Sequence, residues 1–126
     1  MIRAVRGAVG IERNDAELIH SESRRLFREI LKRNQIEEGR IVSVLFSVTK
    51  DLTKANPATG VRLEGFADTP LFCVQEADIE GAEPGIVRIL VTYGTDSDAP
   101  AAPVYLGRAA ELRPDLSGPQ AEEAHR

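Results

Sequence analysis

The chain has 126 residues, of which 42% are hydrophobic and 29% are charged, a composition typical of one soluble globular domain. Its formal net charge of -4 argues against a protein that binds nucleic-acid backbones, and the lack of Trp argues against a platform for stacked single-stranded bases. With no apolar segment of membrane length and no apolar signal region after Met1, we expect a cytoplasmic protein with no membrane or nucleic-acid partner.

The first half of the chain predicts a strand, a long helix and a second strand. Residues 2–9 form a short apolar run that predicts a strand. Asn14 is the expected N-cap of the helix, because Glu17 three residues later completes a capping-box pattern. The run at 41–48 (IVSVLFSV) is nearly continuous in apolar character, which predicts a strand covered on both faces. The apolar residues of the helix recur at helical spacing and are Ile19, Leu26, Phe27, Ile30 and Leu31.

The second half predicts three more strands separated by loops. Residues 49–65 are loop-like, with a short helix expected after Pro57. Residues 78–85 are acidic and contain Gly and Pro, which predicts a surface loop. The expected strands are residues 70–74, 86–93 and 104–112.

One long helix and about five strands predict an α+β fold, a mixed sheet with the helices gathered on one face. We expect residues 1–116 to form a single domain and residues 117–126 to form a polar tail. One helix of this length covers only part of one sheet face. We therefore expect a partner subunit to bury the remainder.

Three charged side chains interrupt the apolar strands. Arg6 and Arg88 lie within strand segments, and Glu76 ends the run LFCVQE. A charge removed from water is costly unless it is paired, so Glu76 and Arg88 could pair internally or the arginines could reach a sheet edge. A pocket for an anion is the other explanation, and the further arginines Arg62 and Arg113 favour it. Arginine suits carboxylates because its planar fork donates two hydrogen bonds while staying charged.

The sequence contains no pattern of a nucleophile with its base. His20 and His125 lie far apart and have no ligand spacing for zinc. Cys73, the single cysteine, cannot form an internal disulfide and is typical of a small buried hydrophobe. Glycine-rich phosphate loops are also missing. These features indicate a non-covalent anion site that needs no metal and no cofactor.

A series of short segments matches a known family in order and spacing. The segments are Arg6-Gly7-Ala8 with Glu12, residues 47–52 (SVTKDL), Pro57-Ala58 with Arg62, residues 73–76 (CVQE), Arg88 in its strand, residues 104–106 (VYL) and residues 112–116 (LRPDL). In these segments the chain resembles the monofunctional chorismate mutases of the Bacillus type, and the likeness extends from Ile2 to about Leu116.

The resemblance implies an isomerase that converts chorismate to prephenate in phenylalanine and tyrosine biosynthesis, as a homotrimer with a barrel-like core and active sites between subunits. It implies that Arg88 donates to the ether oxygen and to a carboxylate of chorismate. Arg6 and Tyr105 would bind carboxylates, while Glu76 would accept from the ring hydroxyl with Cys73 close to it. The remaining substrate-binding residues that it implies are Ala58, Thr59, Arg62, Leu112 and Arg113.

Two positions depart from the family pattern. Asn56 stands where an apolar aromatic residue is common, and Thr59 stands where a lysine can occur. Loss of that lysine would weaken the attraction of a dianionic substrate, so affinity is the property most affected. Two alternatives remain, an imine deaminase of similar trimeric architecture and a non-catalytic trimer that binds an aromatic-pathway metabolite. The pattern of Arg6, Glu76, Arg88 and Tyr105 favours the mutase over the deaminase.

Overall fold

A five-stranded sheet forms the centre of the chain, as described for residues 1–111 by a computed structural model. The elements are β1 (Ile2–Gly10), α1 (Ala16–Arg33), β2 (Ile41–Val48), α2 (Pro57–Leu63), β3 (Leu71–Gln75), β4 (Ile86–Gly94) and β5 (Val104–Leu106), with 3-10 turns at Glu38–Arg40 and Gly107–Glu111. The spatial order of the strands is β3-β2-β4-β1-β5. β4 is antiparallel to β1 and β2, whereas β3 and β5 run parallel to their neighbours. The predicted mixed sheet is therefore confirmed.

The start of α1 differs from the prediction. Asp15 is the N-cap, since its carboxylate accepts a hydrogen bond from the backbone N–H of Leu18 at 2.9 Å. The prediction of Asn14 as the cap is wrong because that side chain is used elsewhere. Its Oδ1 accepts from the backbone N–H groups of Thr53 and Lys54 at 3.0 and 3.1 Å, and its Nδ2 donates to Thr53 Oγ1 at 2.9 Å. Asn14 thus joins the start of α1 to the loop between β2 and α2.

The hydrophobic core lies between the two helices and one face of the sheet. Gly7 permits the close approach of these layers, because a Cβ at this position would lie 2.6 Å from the carbonyl oxygen of Val104 and 2.9 Å from Cδ1 of Ile30. The largest fully buried side chains include Phe27, Phe46, Ile11, Ile19, Leu26 and Ile30. Within residues 1–111, no helix is long and apolar enough to span a membrane.

The opposite face of the sheet, here called the open face, carries Arg6, Leu45, Arg88 and Leu90. Within residues 1–111 neither α1 nor α2 packs on it, although the 3-10 segment covers its edge at Ala8 through Ala109, and Leu45 and Leu90 are each 41% exposed. β2 is consequently buried on one side only, where Val44 and Phe46 point into the core. One chain covers only one face of β2, so the predicted coverage of both faces would require a partner subunit.

β5 is shorter than the segment 104–112 predicted for it. The strand ends at Leu106 because Gly107 adopts a left-handed φ of 59°, after which the chain turns into the 3-10 segment.

Asn56 caps α2 through its Oδ1, which accepts from the backbone N–H of Ala58 at 2.9 Å. The short helix expected after Pro57 is therefore confirmed. The predicted domain end at residue 116 lies outside the described residues.

Candidate active site

One register row across the open face brings several predicted site residues together. Tyr105 on β5 pairs with Ala8 on β1, and Ala8 pairs with Arg88 on β4. Arg88 in turn pairs with Ser47 on β2. Arg6 lies two residues before Ala8 on the same face of β1, which makes it a diagonal neighbour of Arg88 at about 7–8 Å. Ala8 itself is fully buried against Ile86, Tyr105 and Ala109.

Arg88 and Glu76 form an ion pair at this row. Arg88 Nε lies 2.6 Å from Glu76 Oε1, and the hydroxyl of Ser47 donates to the same oxygen at 3.2 Å. The internal pairing considered from the sequence is thus present. The Arg88 side chain nevertheless remains 40% exposed, and its contact with Glu76 runs through Nε. Pairing and anion binding are therefore compatible at this arginine.

A shallow depression of about 170 Å³ lies over the row. Its lining residues are Arg6, Gly7, Leu45, Ser47, Arg88, Ile89, Leu90 and Tyr105. Two guanidinium groups and one carboxylate give this region a positive balance. Arg6 is exposed, and no ion pair of its side chain is found among residues 1–111. The charge balance suits an anionic ligand. The volume is below the range of about 300–1,000 Å³ typical of ligand pockets, so one chain alone provides an incomplete enclosure.

A second group of predicted site residues lies apart from the first within one chain. Cys73 packs against the core and therefore points away from the open face, on the opposite side of β3 from Glu76. It lines a separate depression of about 400 Å³ together with residues 53–57. Ala58 and Thr59 follow directly in α2, where Ala58 is buried. Arg62 lies further along α2 and is exposed. In a single chain these residues do not meet Arg88.

The Cys73 thiol is suited to packing and not to nucleophilic attack. Burial raises the pKa of this thiol above its ordinary value, which keeps it protonated near neutral pH.

Leu112 and Arg113, the other two predicted site residues, lie outside the described residues. Among residues 1–111, no cluster of three or more His, Cys, Asp or Glu side chains could hold a metal ion.

A polar network that the sequence did not reveal fixes the chain where β2 ends. Thr49 Oγ1 accepts from the backbone N–H of Ile86 at 3.1 Å, and Asp51 Oδ1 accepts from the backbone N–H of Gly85 at 3.2 Å. Burial alone would raise the pKa of Asp51, but hydrogen bonds from Thr49 and Gly85, with Arg108 nearby, lower it below its ordinary value of 3.8. The network ties the loop after β2 to the first residues of β4.

Ser47 was also missed as a site residue. It falls within a matched family segment, but its position opposite Arg88 depends on the order and register of the strands, which the sequence pattern does not contain. The alternation of IVSVLFSV puts Ser47 on the same face as Leu45, and this was the available signal.

Comparisons with known proteins give one family. Residues 2–116 match the family model of chorismate mutase type I. Chorismate mutase AroH of Thermus thermophilus is 37% identical over 122 residues, which cover 95% of this chain and 100% of that protein. Chorismate mutase AroH of Bacillus subtilis is 37% identical over 119 residues, which cover 93% of this chain and 94% of that protein.

A solved structure agrees with these sequence matches. The chorismate mutase from Clostridium thermocellum superposes with a TM-score of 0.84 at 37% sequence identity. The superposition covers 87% of this chain and 99% of that one. Family model, relatives and solved structure thus agree over nearly the full length, and the chain belongs to the chorismate mutase type I family.

Proposed function

We propose that this chain is a chorismate mutase, an isomerase that rearranges chorismate to prephenate on the open face of its sheet for phenylalanine and tyrosine biosynthesis. The observation that carries the proposal is the arrangement of Arg88, Arg6 and Tyr105 around one depression, with Glu76 paired to Arg88, in a chain of this family. A cytoplasmic location belongs to the same proposal.

The reaction suits fixed charges because it is an intramolecular rearrangement. One carbon–oxygen bond breaks while one carbon–carbon bond forms, and no proton or other group leaves the molecule. Negative charge develops on the ether oxygen in the transition state. A protein accelerates such a step by holding the substrate in its folded conformer and by placing positive charge beside that oxygen. It needs neither a nucleophile nor a cofactor.

Arg88 is the residue proposed to donate hydrogen bonds to the ether oxygen and to one carboxylate of chorismate. Its guanidinium is paired with Glu76 through Nε while the side chain stays 40% exposed, so little rearrangement would be needed at the moment of reaction. Arg6 and Tyr105 would bind carboxylates of the substrate from the same face. Glu76, with Oε1 engaged by Arg88 and Ser47, would accept from the ring hydroxyl through its other oxygen.

A homotrimer would complete the site. The depression around Arg88 is too small to enclose a ligand, and Cys73 lies on the other side of the sheet with α2. We propose that α2 of a neighbouring subunit, with Ala58, Thr59 and Arg62, closes over the open face. Leu112 and Arg113 would border the same cleft.

The test is direct conversion of chorismate by the purified full chain. Loss of the ultraviolet absorbance of chorismate, with prephenate as the product, is the expected result. Chorismate that decays no faster than in buffer would overturn the proposal. Binding without loss of absorbance would favour a metabolite-binding trimer, and turnover of an imine but not of chorismate would favour a deaminase.

A further inference from the structure

We propose that Ser47 is a positioning residue for the mutase reaction, and that it acts by orienting the carboxylate of Glu76. The inference deepens the proposed function and rests on it. Ser47 would not touch the reacting atoms. It would instead determine which oxygen of Glu76 is left for the substrate.

Two donors converge on a single oxygen of Glu76. The hydroxyl of Ser47 donates to Oε1 at 3.2 Å, and Arg88 Nε approaches the same atom at 2.6 Å. A carboxylate has two oxygens, each with room for more than one hydrogen bond. When both protein donors occupy Oε1, the second oxygen stays available for a hydroxyl group of a ligand. The side chain of Glu76 is only 21% exposed, so its orientation is constrained by these contacts.

The position of Glu76 explains why a second donor matters. The residue comes immediately after the last residue of β3, and its backbone N–H donates to the carbonyl of Val48 at 2.8 Å. With Arg88 alone, the carboxylate could rotate about the single contact with Nε. The Ser47 hydroxyl approaches from a different strand and removes that freedom.

The sheet brings Ser47 to this place through its strand order. β2 lies between β3 and β4, and Ser47 pairs with Val74 on one side and with Arg88 on the other. Its side chain shares the open face with Arg88 and with the carboxylate of Glu76. A small hydroxyl in this mostly apolar strand is therefore placed between the two charged groups.

The experiment compares Ser47→Thr with Ser47→Val. These side chains have nearly the same shape and both favour strands, but only threonine keeps the hydroxyl. We expect Ser47→Val to lose about three- to tenfold in kcat, the effect of one net hydrogen bond, with KM changed less than about twofold. Ser47→Thr should retain most of the kcat. Ser43→Ala, on the same face of β2 and outside the depression, is the control and should keep the wild-type kcat.

A double-mutant cycle tests whether the effect passes through Glu76. If it does, Ser47→Val should cause little further loss when added to Glu76→Ala, because the oxygen that Ser47 orients is already gone. Equal losses in both backgrounds would overturn the inference. So would a Ser47→Val enzyme with full kcat, or a Ser47→Thr enzyme as impaired as Ser47→Val.

Thermal melting and sedimentation of each variant separate positioning from folding. A loss of kcat that disappears once the folded, assembled fraction is counted would also overturn the inference. If the wild type converts chorismate and Ser47→Val is unimpaired, only the role of Ser47 fails. If the wild type does not convert chorismate, the proposed function fails and this inference falls with it.

Discussion

Arg88 combines two roles that are usually separate, since it belongs to an ion pair and also faces the open depression. Glu76 compensates its charge within the sheet, which makes an arginine tolerable among apolar neighbours. The side chain is still 40% exposed beside the depression, which is compatible with binding an anion. Pairing with Glu76 would hold the guanidinium in one orientation for its proposed role in the reaction.

Replacement of Arg88 should affect turnover more than binding. For Arg88→Ala we expect kcat to fall by about 10²–10³-fold, the typical effect of removing one preorganised donor. Arg88→Lys should also be strongly impaired because lysine lacks the planar fork. Steady-state kinetics give kcat and KM, and Arg40→Ala, which breaks an exposed ion pair with Asp96, is the control. A folded and assembled Arg88→Ala enzyme with nearly normal kcat would contradict the assignment.

Asp51 should contribute stability that depends on pH. Its pKa is lowered in the folded chain, so the folded state favours the ionised carboxylate relative to the unfolded state. This contribution is complete above the ordinary value of 3.8 and is lost as the pH falls through the lower pKa of the folded state.

Urea unfolding of wild type and Asp51→Asn at pH 6 and pH 3 measures this contribution. The variant should be less stable than wild type at pH 6, and the difference should shrink at pH 3 because wild-type Asp51 is then partly protonated in the unfolded state. If Asp51→Asn lowers the free energy of unfolding equally at both pH values, protonation of Asp51 is not involved.

The loop between β2 and α2 is held by contacts from distant parts of the chain. Asn14 binds it from the start of α1, while Thr49 and Asp51 bind the first residues of β4. The loop then leads directly into Ala58 and Thr59, which are proposed to contact the substrate. Movement of this loop would displace α2 and with it one side of the proposed cleft.

Asn14→Ala should destabilise the chain and weaken substrate binding together. Loss of three hydrogen bonds at an exposed position should lower the free energy of unfolding by about 1–2 kcal/mol. KM should rise, with kcat less affected. Asn14→Asp keeps an acceptor for the two backbone N–H groups and should lie closer to wild type. Chemical denaturation measures the free energy of unfolding, and steady-state kinetics measure KM. An Asn14→Ala chain of unchanged stability would refute the role of Asn14 in holding the loop.

Assembly of several subunits would bury the apolar side chains that one chain leaves exposed. Phe72 is 66% exposed on the edge strand β3, and Leu45 and Leu90 lie on the same open face. Large apolar side chains grouped on one surface are typical of an interaction site. The proposed trimer would cover this face and complete the site at once.

Phe72→Glu should therefore reduce assembly and activity together. A charge introduced in the proposed interface would have to be buried without a partner, which shifts the equilibrium toward smaller species. Analytical ultracentrifugation and the chorismate assay are performed at the same protein concentrations. Ile79→Glu, the same change at an exposed apolar residue of the loop before β4, is the control. A Phe72→Glu trimer with full activity would place the interface elsewhere.

The comparisons confirm the family that the matched segments indicated, and the structure confirms the mixed five-stranded sheet. Strands such as Ile41–Val48 could be predicted because the strand signal is contained in adjacent residues. The choice between Asn14 and Asp15 as the helix cap could not be predicted from adjacent residues. Both residue types cap well, and contacts with a loop almost 40 positions away decided which of them was free to do so.

The local pattern of the chain was thus sufficient for the strand segments, the family and the charged residues of interest. The contacts of those charges depended on strand order and register, which are long-range properties. Ser47, Glu76 and Arg88 are separated by many residues, and they meet because β2 lies between β3 and β4. Packing of the sheet against its helices fixes the register of the strands, since one face must be buried and a shift of one residue would turn every side chain to the wrong side.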